Sequence, residues 1–471
     1  LGNPCGKKQY HLRDQLEERI LMQGKQHIES WIALLLIAIM PVMMLTHLGH
    51  SSGAFLVLAV FCLFLCFKRP GGMSQTWQDL RSYRPLMFAL SFSLITVLCL
   101  SAWQHKFLAS DVERGFRTFL GTIVILAGCL TLIPDRLRQA AWGMTTAAWA
   151  GAGYAVWLSL APQKIAEGAP EHYVVKYGNL QFRRPENVPE YNAVSYGNLL
   201  LLMTVLSTLS IGWQLTRYRK TEIAFKVLTA CVGFVGFLAT QTRSGWIGIP
   251  FFILIGLVLF YGKFSLRKLI VPALIASTLI AAVFVLNPIT RTRTQDAITE
   301  VTECARNPTA VSSVCIRLQL WHASLMMFKE NPLIGNGSTQ KFRITLQDLA
   351  RRGVVSGFTV TEEFDEPHND MMYAMASYGL LGLTGLLLLY FAPAWVFAKR
   401  LASNVPHDAR VAAAMGLAVC LGFFTFGLTE LMFRGMRTMG FYAAMMGWLL
   451  ALSDARMSSN QDGNCIANCV A

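Results

Sequence analysis

A chain of 471 residues that is 54% hydrophobic and only 14% charged, with a mean hydropathy of +0.43, is not a large soluble globule, because soluble domains carry about 25% charged residues. The net charge of +14 does not indicate nucleic acid, since the basic residues are scattered between apolar runs and form no stripe with interleaved aromatics. The runs are continuously apolar and do not alternate, which favours transmembrane helices over a barrel.

Residues 1–29 form a polar, charged opening without a signal-peptide pattern. Leu12, Leu16 and Ile20 recur at helical spacing among Arg13, Arg19 and Lys25, which predicts an amphipathic cytoplasmic helix on the membrane surface. Residues 30–287 hold nine expected spans, near 31–48, 53–67, 86–103, 116–133, 140–161, 192–213, 224–240, 246–261 and 269–287, with a polar loop near 162–191. Residues 288–378 form a second, larger loop. Residues 379–452 hold three more spans, near 379–398, 411–429 and 436–452, and 453–471 form a tail. The expected fold is an all-α polytopic membrane protein of about twelve transmembrane helices, with a helical periplasmic cap between spans nine and ten.

Basic residues orient the chain. With a cytoplasmic N-terminus, the inside segments hold 22 Lys and Arg and the short outside loops hold 6, as the positive-inside rule requires. Both termini and the tail are then cytoplasmic, and the two long loops are outside. Most cysteines fall inside apolar runs, where they serve as small packing residues. Cys304 and Cys315 alone are expected outside, and an oxidising compartment predicts a disulfide between them.

The larger loop is patterned. Arg317–Lys329 reads as a helix with Arg317, Trp321, Ser324 and Phe328 on one face. Asn331-Pro332 ends it and Gly335-Asn336-Gly337 turns the chain. Phe342, Leu346 and Leu349 predict a second amphipathic helix.

Several side chains could carry chemistry. His368 follows Pro367 and precedes a helical run, so it stands at or just before a helix N-terminus. The partial positive charge there favours a neutral ring able to accept a proton. Asp365, Glu366 and Asp370 push the other way, so the two effects leave its protonation open. Arg243 interrupts an apolar stretch in a very short outer loop, although a lone arginine there reads first as a snorkelling residue. Glu362, Glu363, Asp365, Glu366 and Asp370 read as a solvated acidic run, with a divalent-metal site as the rival. Arg183 and Arg184 in the earlier loop are either plain solvated residues or contacts for an anionic glycolipid.

The stretch RLQLWHASLMMFKENPLIGNGSTQKF, a gap, then PHNDMMYAMASYGLLGLTGLL, together with TRSGW at Thr242–Trp246, resembles the signature of the O-antigen ligase and polymerase superfamily of polytopic glycosyltransferases. The resemblance implies transfer of O-antigen polysaccharide from undecaprenyl diphosphate to the lipid A-core oligosaccharide, in lipopolysaccharide biosynthesis at the periplasmic face of the bacterial inner membrane. It implies an inverting, metal-independent reaction with no cofactor. His368 matches the motif histidine and would act as general base. Arg243 and Arg317 match the diphosphate-contacting positions, and a guanidinium binds phosphate oxygens through two parallel hydrogen bonds. Trp321 and Asn369, within the matching motifs, are expected beside the substrate. The ligase branch is less sharply marked than the superfamily. A polymerase or a protein O-oligosaccharyltransferase would share the motifs. A transporter or flippase would place its polar residues at mid-membrane on broken helices, whereas these lie at the outer rim. The oligomeric state is left open.

Overall fold

The computed structural model describes residues 4–46, 50–103, 109–160, 174–177, 180–183, 192–262, 278, 288–337 and 339–457. The expected span near 269–287, most of the loop near 162–191, Arg184 and most of the tail at 453–471 lie outside the described residues.

Apolar runs fold as helices because a chain in hydrocarbon must satisfy its own N–H and C=O groups. In order these are α1 (Pro4–Thr46), α2 (Ser51–Lys68), α3 (Gly72–Leu80), α4 (Arg84–Trp103), α5 (Ala109–Phe116), α6 (Thr122–Cys129), α7 (Pro134–Arg138) and α8 (Ala141–Leu160). Then come α9 (Ala193–Leu209), α10 (Arg219–Ala239), α11 (Ile249–Tyr261), α12 (Pro288–Arg306), α13 (Ser313–Glu330), α14 (Thr339–Arg351) and α15 (Phe358–Thr361). The last are α16 (Asp370–Ala402), α17 (His407–Gly427) and α18 (Met436–Leu452). The opening segment is not a separate helix: α1 runs unbroken through it into the first span, since Gly24 alone does not stop a helix.

Among the described residues, eight helical segments are long and apolar enough to cross a membrane: Gly24–Thr46, Ser51–Lys68, Gly72–Trp103, Ala193–Gly212, Arg219–Ala239, Ser244–Tyr261, Asp370–Ala402 and His407–Gly427. They coincide with eight of the twelve expected spans. Three other expected spans are helical but fall short for distinct reasons. Near 116–133 a π-helical turn at Arg117–Gly121 divides α5 from α6. Helix α8 is diluted by Gly, Thr and Trp. Helix α18 has only 17 residues. It is nonetheless buried along nearly its whole length, and α1, α2, α6 and α17 pack around it.

The loop near 162–191 departs from the all-α expectation. Val174–Tyr177 (β1) and Leu180–Arg183 (β2) pair antiparallel, with Tyr177 opposite Leu180. Arg183 closes the hairpin opposite Val174. Strand β1 lies against α12 and β2 against α8.

Helices α12–α15 form a layer with its own core. Leu320, Ala323 and Met327 of α13 meet Phe342, Leu346 and Leu349 of α14, with Val355 and Ala376 closing the cluster. Buried Gln319 clasps this layer: its amide donates to Pro308 O (3.0 Å) and Ala310 O (3.1 Å), and its carbonyl accepts from Ser356 N (2.7 Å). Cys304 and Cys315 are bonded, with Cα atoms 5.4 Å apart, and tie α12 to α13.

The boundary expected at residue 379 is a kink within α16. Gly379 has φ 63° in an otherwise helical run that starts at Asp370. The turn after α13 docks there main chain to main chain. Asn336 N donates to Ala376 O (2.9 Å), Gly337 N to Ser377 O (2.9 Å), Leu380 N to Pro332 O (2.8 Å) and Leu381 N to Leu333 O (3.3 Å). A Cβ on Gly335 would lie 2.4 Å from the Ser377 carbonyl carbon, and one on Gly379 would lie 2.4 Å from that of Leu333. Both positions also have positive φ, so only glycine allows this approach.

Candidate active site

Four chain segments converge: the 240–247 turn after α10, the layer helix α13, and the loops at 364–369 and 428–434.

The 240–247 turn is pinned to α9 by its hydroxyls. Thr242 Oγ1 donates to Ala193 O (2.8 Å) and Ser244 Oγ to Asn198 Oδ1 (2.9 Å). Trp246 packs on Phe234 and Phe237, with ring centroids 5.8 and 5.6 Å away. Gln241 turns the chain at φ 54°. Arg243 is thereby aimed at α12. Its Nη2 lies 3.1 Å from Glu300 and 3.9 Å from Asp296. These carboxylates are one helical turn apart on α12 and share a face. The Arg243 Nε is buried without a hydrogen-bond partner among the described residues. The other Glu300 oxygen accepts from Val314 N (3.0 Å), which fixes the first turn of α13. One turn further along, Arg317 faces the same space. Arg243, Arg317, Gln241, Ser244, Ser313 and Thr429 line a cavity of about 140 Å³.

Thr429 leads to Glu430, which sequence reasoning missed. Glu430 sits in the α17–α18 loop with its side chain 5% exposed. Its Oε1 lies 3.1 Å from His368 Nδ1. Burial raises its proton affinity, but the hydrogen bond and charge of His368 and the charge of Arg317 outweigh burial and hold the carboxyl below the usual glutamate range. The one signal in the sequence was an isolated acid among Leu428, Leu431, Met432 and Phe433.

His368 precedes the N-cap of α16. It adopts φ 46°, an unfavourable conformation for a residue with a Cβ. Its surroundings hold it there. Trp321 Nε1 donates to Pro367 O (3.0 Å). Asn369 Oδ1 accepts from Met371 N (2.9 Å) and Met372 N (3.0 Å), capping α16. Asn369 Nδ2 donates to Leu428 O (2.8 Å), joining the two loops. Trp321 and Asn369, expected beside the substrate, thus spend these polar groups on the loop that presents His368. Phe364 stands edge-on to the imidazole at 6.0 Å. With Glu430 accepting from Nδ1–H, the lone pair is on Nε2.

The acidic run is divided among separate tasks. Asp365 makes a two-bond pair with Arg434 (3.0 and 3.3 Å), which also contacts Glu366. Asp370 is buried and accepts from Tyr390 Oη (2.7 Å), Met432 N (3.1 Å) and Phe433 N (3.2 Å). The rival metal grouping of Asp365, Glu366 and Asp370 is therefore not assembled. A different trio, Glu366, His368 and Glu430, has ligand atoms within 4.8 Å of one another. There the Arg434 guanidinium already neutralises Glu366 and His368 engages Glu430, so the donors are committed to each other.

Residues 228–387 match a family model described as O-Antigen ligase. The matched segment holds Arg243, Arg317 and His368 and ends before Glu430. An uncharacterized protein of Haemophilus influenzae (strain ATCC 51907 / DSM 11121 / KW20 / Rd) is 23% identical over 188 residues, 39% of this chain and 45% of that protein. The chain therefore spans less than half the length of that relative.

Proposed function

We propose, with membership of the O-antigen ligase superfamily as the premise, that this chain transfers O-antigen from undecaprenyl diphosphate to lipid A-core at the periplasmic face of the bacterial inner membrane. The observation that carries the reading is the single cavity lined by Arg243 and Arg317, next to a histidine backed by a buried carboxylate. Two guanidiniums suit a lipid diphosphate, whose negative charge grows as the glycosidic bond breaks. His368 Nε2 takes the proton from the attacking acceptor hydroxyl as the new carbon–oxygen bond forms. Glu430 orients the ring and stabilises the imidazolium, the role a buried carboxylate plays beside a catalytic histidine elsewhere. The bond from the anomeric carbon to the diphosphate breaks with its electron pair on the leaving oxygen, so direct displacement inverts that carbon. No step requires a metal.

The test incubates purified protein with lipid-linked O-antigen and lipid A-core, with and without a chelator, and looks for the joined product on a gel. Product in both lanes is expected. Product only with added divalent ion would replace the metal-free reading with one centred on Glu366, His368 and Glu430. Extension of the lipid-linked glycan in place of joining to lipid A-core would make the protein a polymerase.

A further inference from the structure

A second cavity lies between α4, α5 and α16. The 429–433 loop links the two: Thr429 lines the first cavity and Phe433 the second. The second cavity has a volume of about 70 Å³. Its polar end is built from Asp111, Arg114, Thr118 and Tyr373, and its far end from Val97, Leu386 and Leu389.

The polar end is fixed in place. Arg114 Nη1 pairs with Asp111 Oδ1 at 2.5 Å. Tyr373 and Tyr378 line the same crevice, with their rings edge-on at 6.4 Å. Arg114 Nε is buried without a hydrogen-bond partner among the described residues, and a buried donor left unmade is costly. Arg434 connects this end to the histidine. Its guanidinium lies 5.8 Å over the Tyr373 ring and pairs with Asp365 and with Glu366, which is 3.7 Å from His368 Nδ1.

The charge balance selects the ligand. Among the described residues the first cavity is lined by Arg243 and Arg317 and by no acid. The second is lined by Arg114 together with Asp111, its ion-pair partner, and Asp370, so an anion gains little there. What remains are fixed donors and acceptors beside an aromatic ring, which suit hydroxyl groups. The volume equals roughly two water molecules and admits the hydroxyl-bearing edge of one sugar. The apolar far end suits a sugar carried on a lipid.

We propose that this crevice binds a neutral sugar of the glycolipid acceptor, held by Arg114, Asp111 and Tyr373. The inference rests on the transferase reading above. It makes Arg114 and Tyr373 determinants of acceptor affinity that leave donor affinity untouched.

The experiment measures binding of core oligosaccharide, released from lipopolysaccharide lacking O-antigen, to wild-type protein and to Tyr373→Phe and Arg114→Gln, without donor. Tyr373→Phe removes only a hydroxyl, so it remains informative should Arg114→Gln unfold. Each variant should bind the oligosaccharide about tenfold more weakly, raise KM for lipid A-core in step, and bind lipid-linked donor like wild type. Unchanged oligosaccharide binding in Tyr373→Phe, or an equal loss of donor affinity, overturns the assignment. Joined product from wild type with no oligosaccharide binding overturns the pocket and leaves the transferase standing. No joined product, with oligosaccharide binding still lost in the variants, sinks the transferase and leaves the pocket.

Discussion

Helix α10 carries a buried charge cluster near its first turn and leads into another just past its last, about 30 Å away. At the first, Lys226 and Glu222 are 0% and 2% exposed and 2.8 Å apart. Lys226 also donates to Ser210 O (3.0 Å) and lies 5.2 Å over the Trp142 ring. Glu222 also accepts from Leu215 N, Thr216 N and Thr216 Oγ1. At the other end Arg243 pairs with Glu300 through Nη2 (3.1 Å) and lines a cavity, with its Nε unpartnered among the described residues. A closed polar knot contributes fold. An open one, with donors aimed into space, is arranged for something that arrives.

That contrast can be broken by mutation. The largest expected effect is at His368. His368→Ala should remain folded and membrane-inserted yet lose roughly a hundredfold to ten-thousandfold in turnover, with donor affinity held by the arginines. Wild-type turnover would remove the histidine from the mechanism. Arg317→Lys keeps the charge but not the planar fork, and should lose roughly ten- to a hundredfold. A near-normal rate would reduce Arg317 to a point charge.

Glu430→Gln sharpens the comparison through pH. The carboxyl titrates below the ordinary glutamate range. Its stabilising contribution is therefore present above that range and fades as pH falls through the folded-state value. The thermal midpoint of wild type should exceed that of Glu430→Gln at neutral pH, and the gap should close on acidification. A gap that widens in acid would contradict a lowered Glu430 carboxyl. Turnover of the variant should also fall, since a neutral amide stabilises imidazolium less.

The smallest effect on donor affinity belongs to the closed knot. Lys226→Met should leave donor affinity unchanged in the folded fraction while lowering stability by about 3–5 kcal/mol, because it strands a buried carboxylate. A change in donor affinity comparable to that of Arg243→Ala would show that the two ends of α10 are coupled and that closure does not separate structure from function.

The apolar runs made eight spanning segments legible, because bilayer thickness sets their length. Arg243, Arg317 and His368 were singled out by motif, and for the NPLIGNG turn between the last two the structure supplies a reason: it docks on the kink at Gly379. Glu430 was not legible, because a partner brought in from a loop 62 residues away leaves no local pattern. Glu300 was missed for the same reason. The β1–β2 hairpin did carry a signal, a Gly178-Asn179 pair between short strand-forming runs, which the surrounding loop composition masked. The kink at Gly379 was read as a loop-to-span boundary, since sequence marks the break in periodicity but not that helix lies on both sides of it.

The clasp between the 331–337 turn and the kink works as a lever. Four main-chain hydrogen bonds join the end of α13 to a helix long enough to span the bilayer, so a tilt of that helix is transmitted to α13. Arg317 lies thirteen residues before Glu330, which sets an arm of about 20 Å and a displacement of about 0.3 Å per degree. Misplacement of a reacting group by 1 Å costs roughly a hundredfold in rate. A few degrees of tilt, the adjustment a helix makes to bilayer thickness, is thus enough to move the guanidinium in and out of working range.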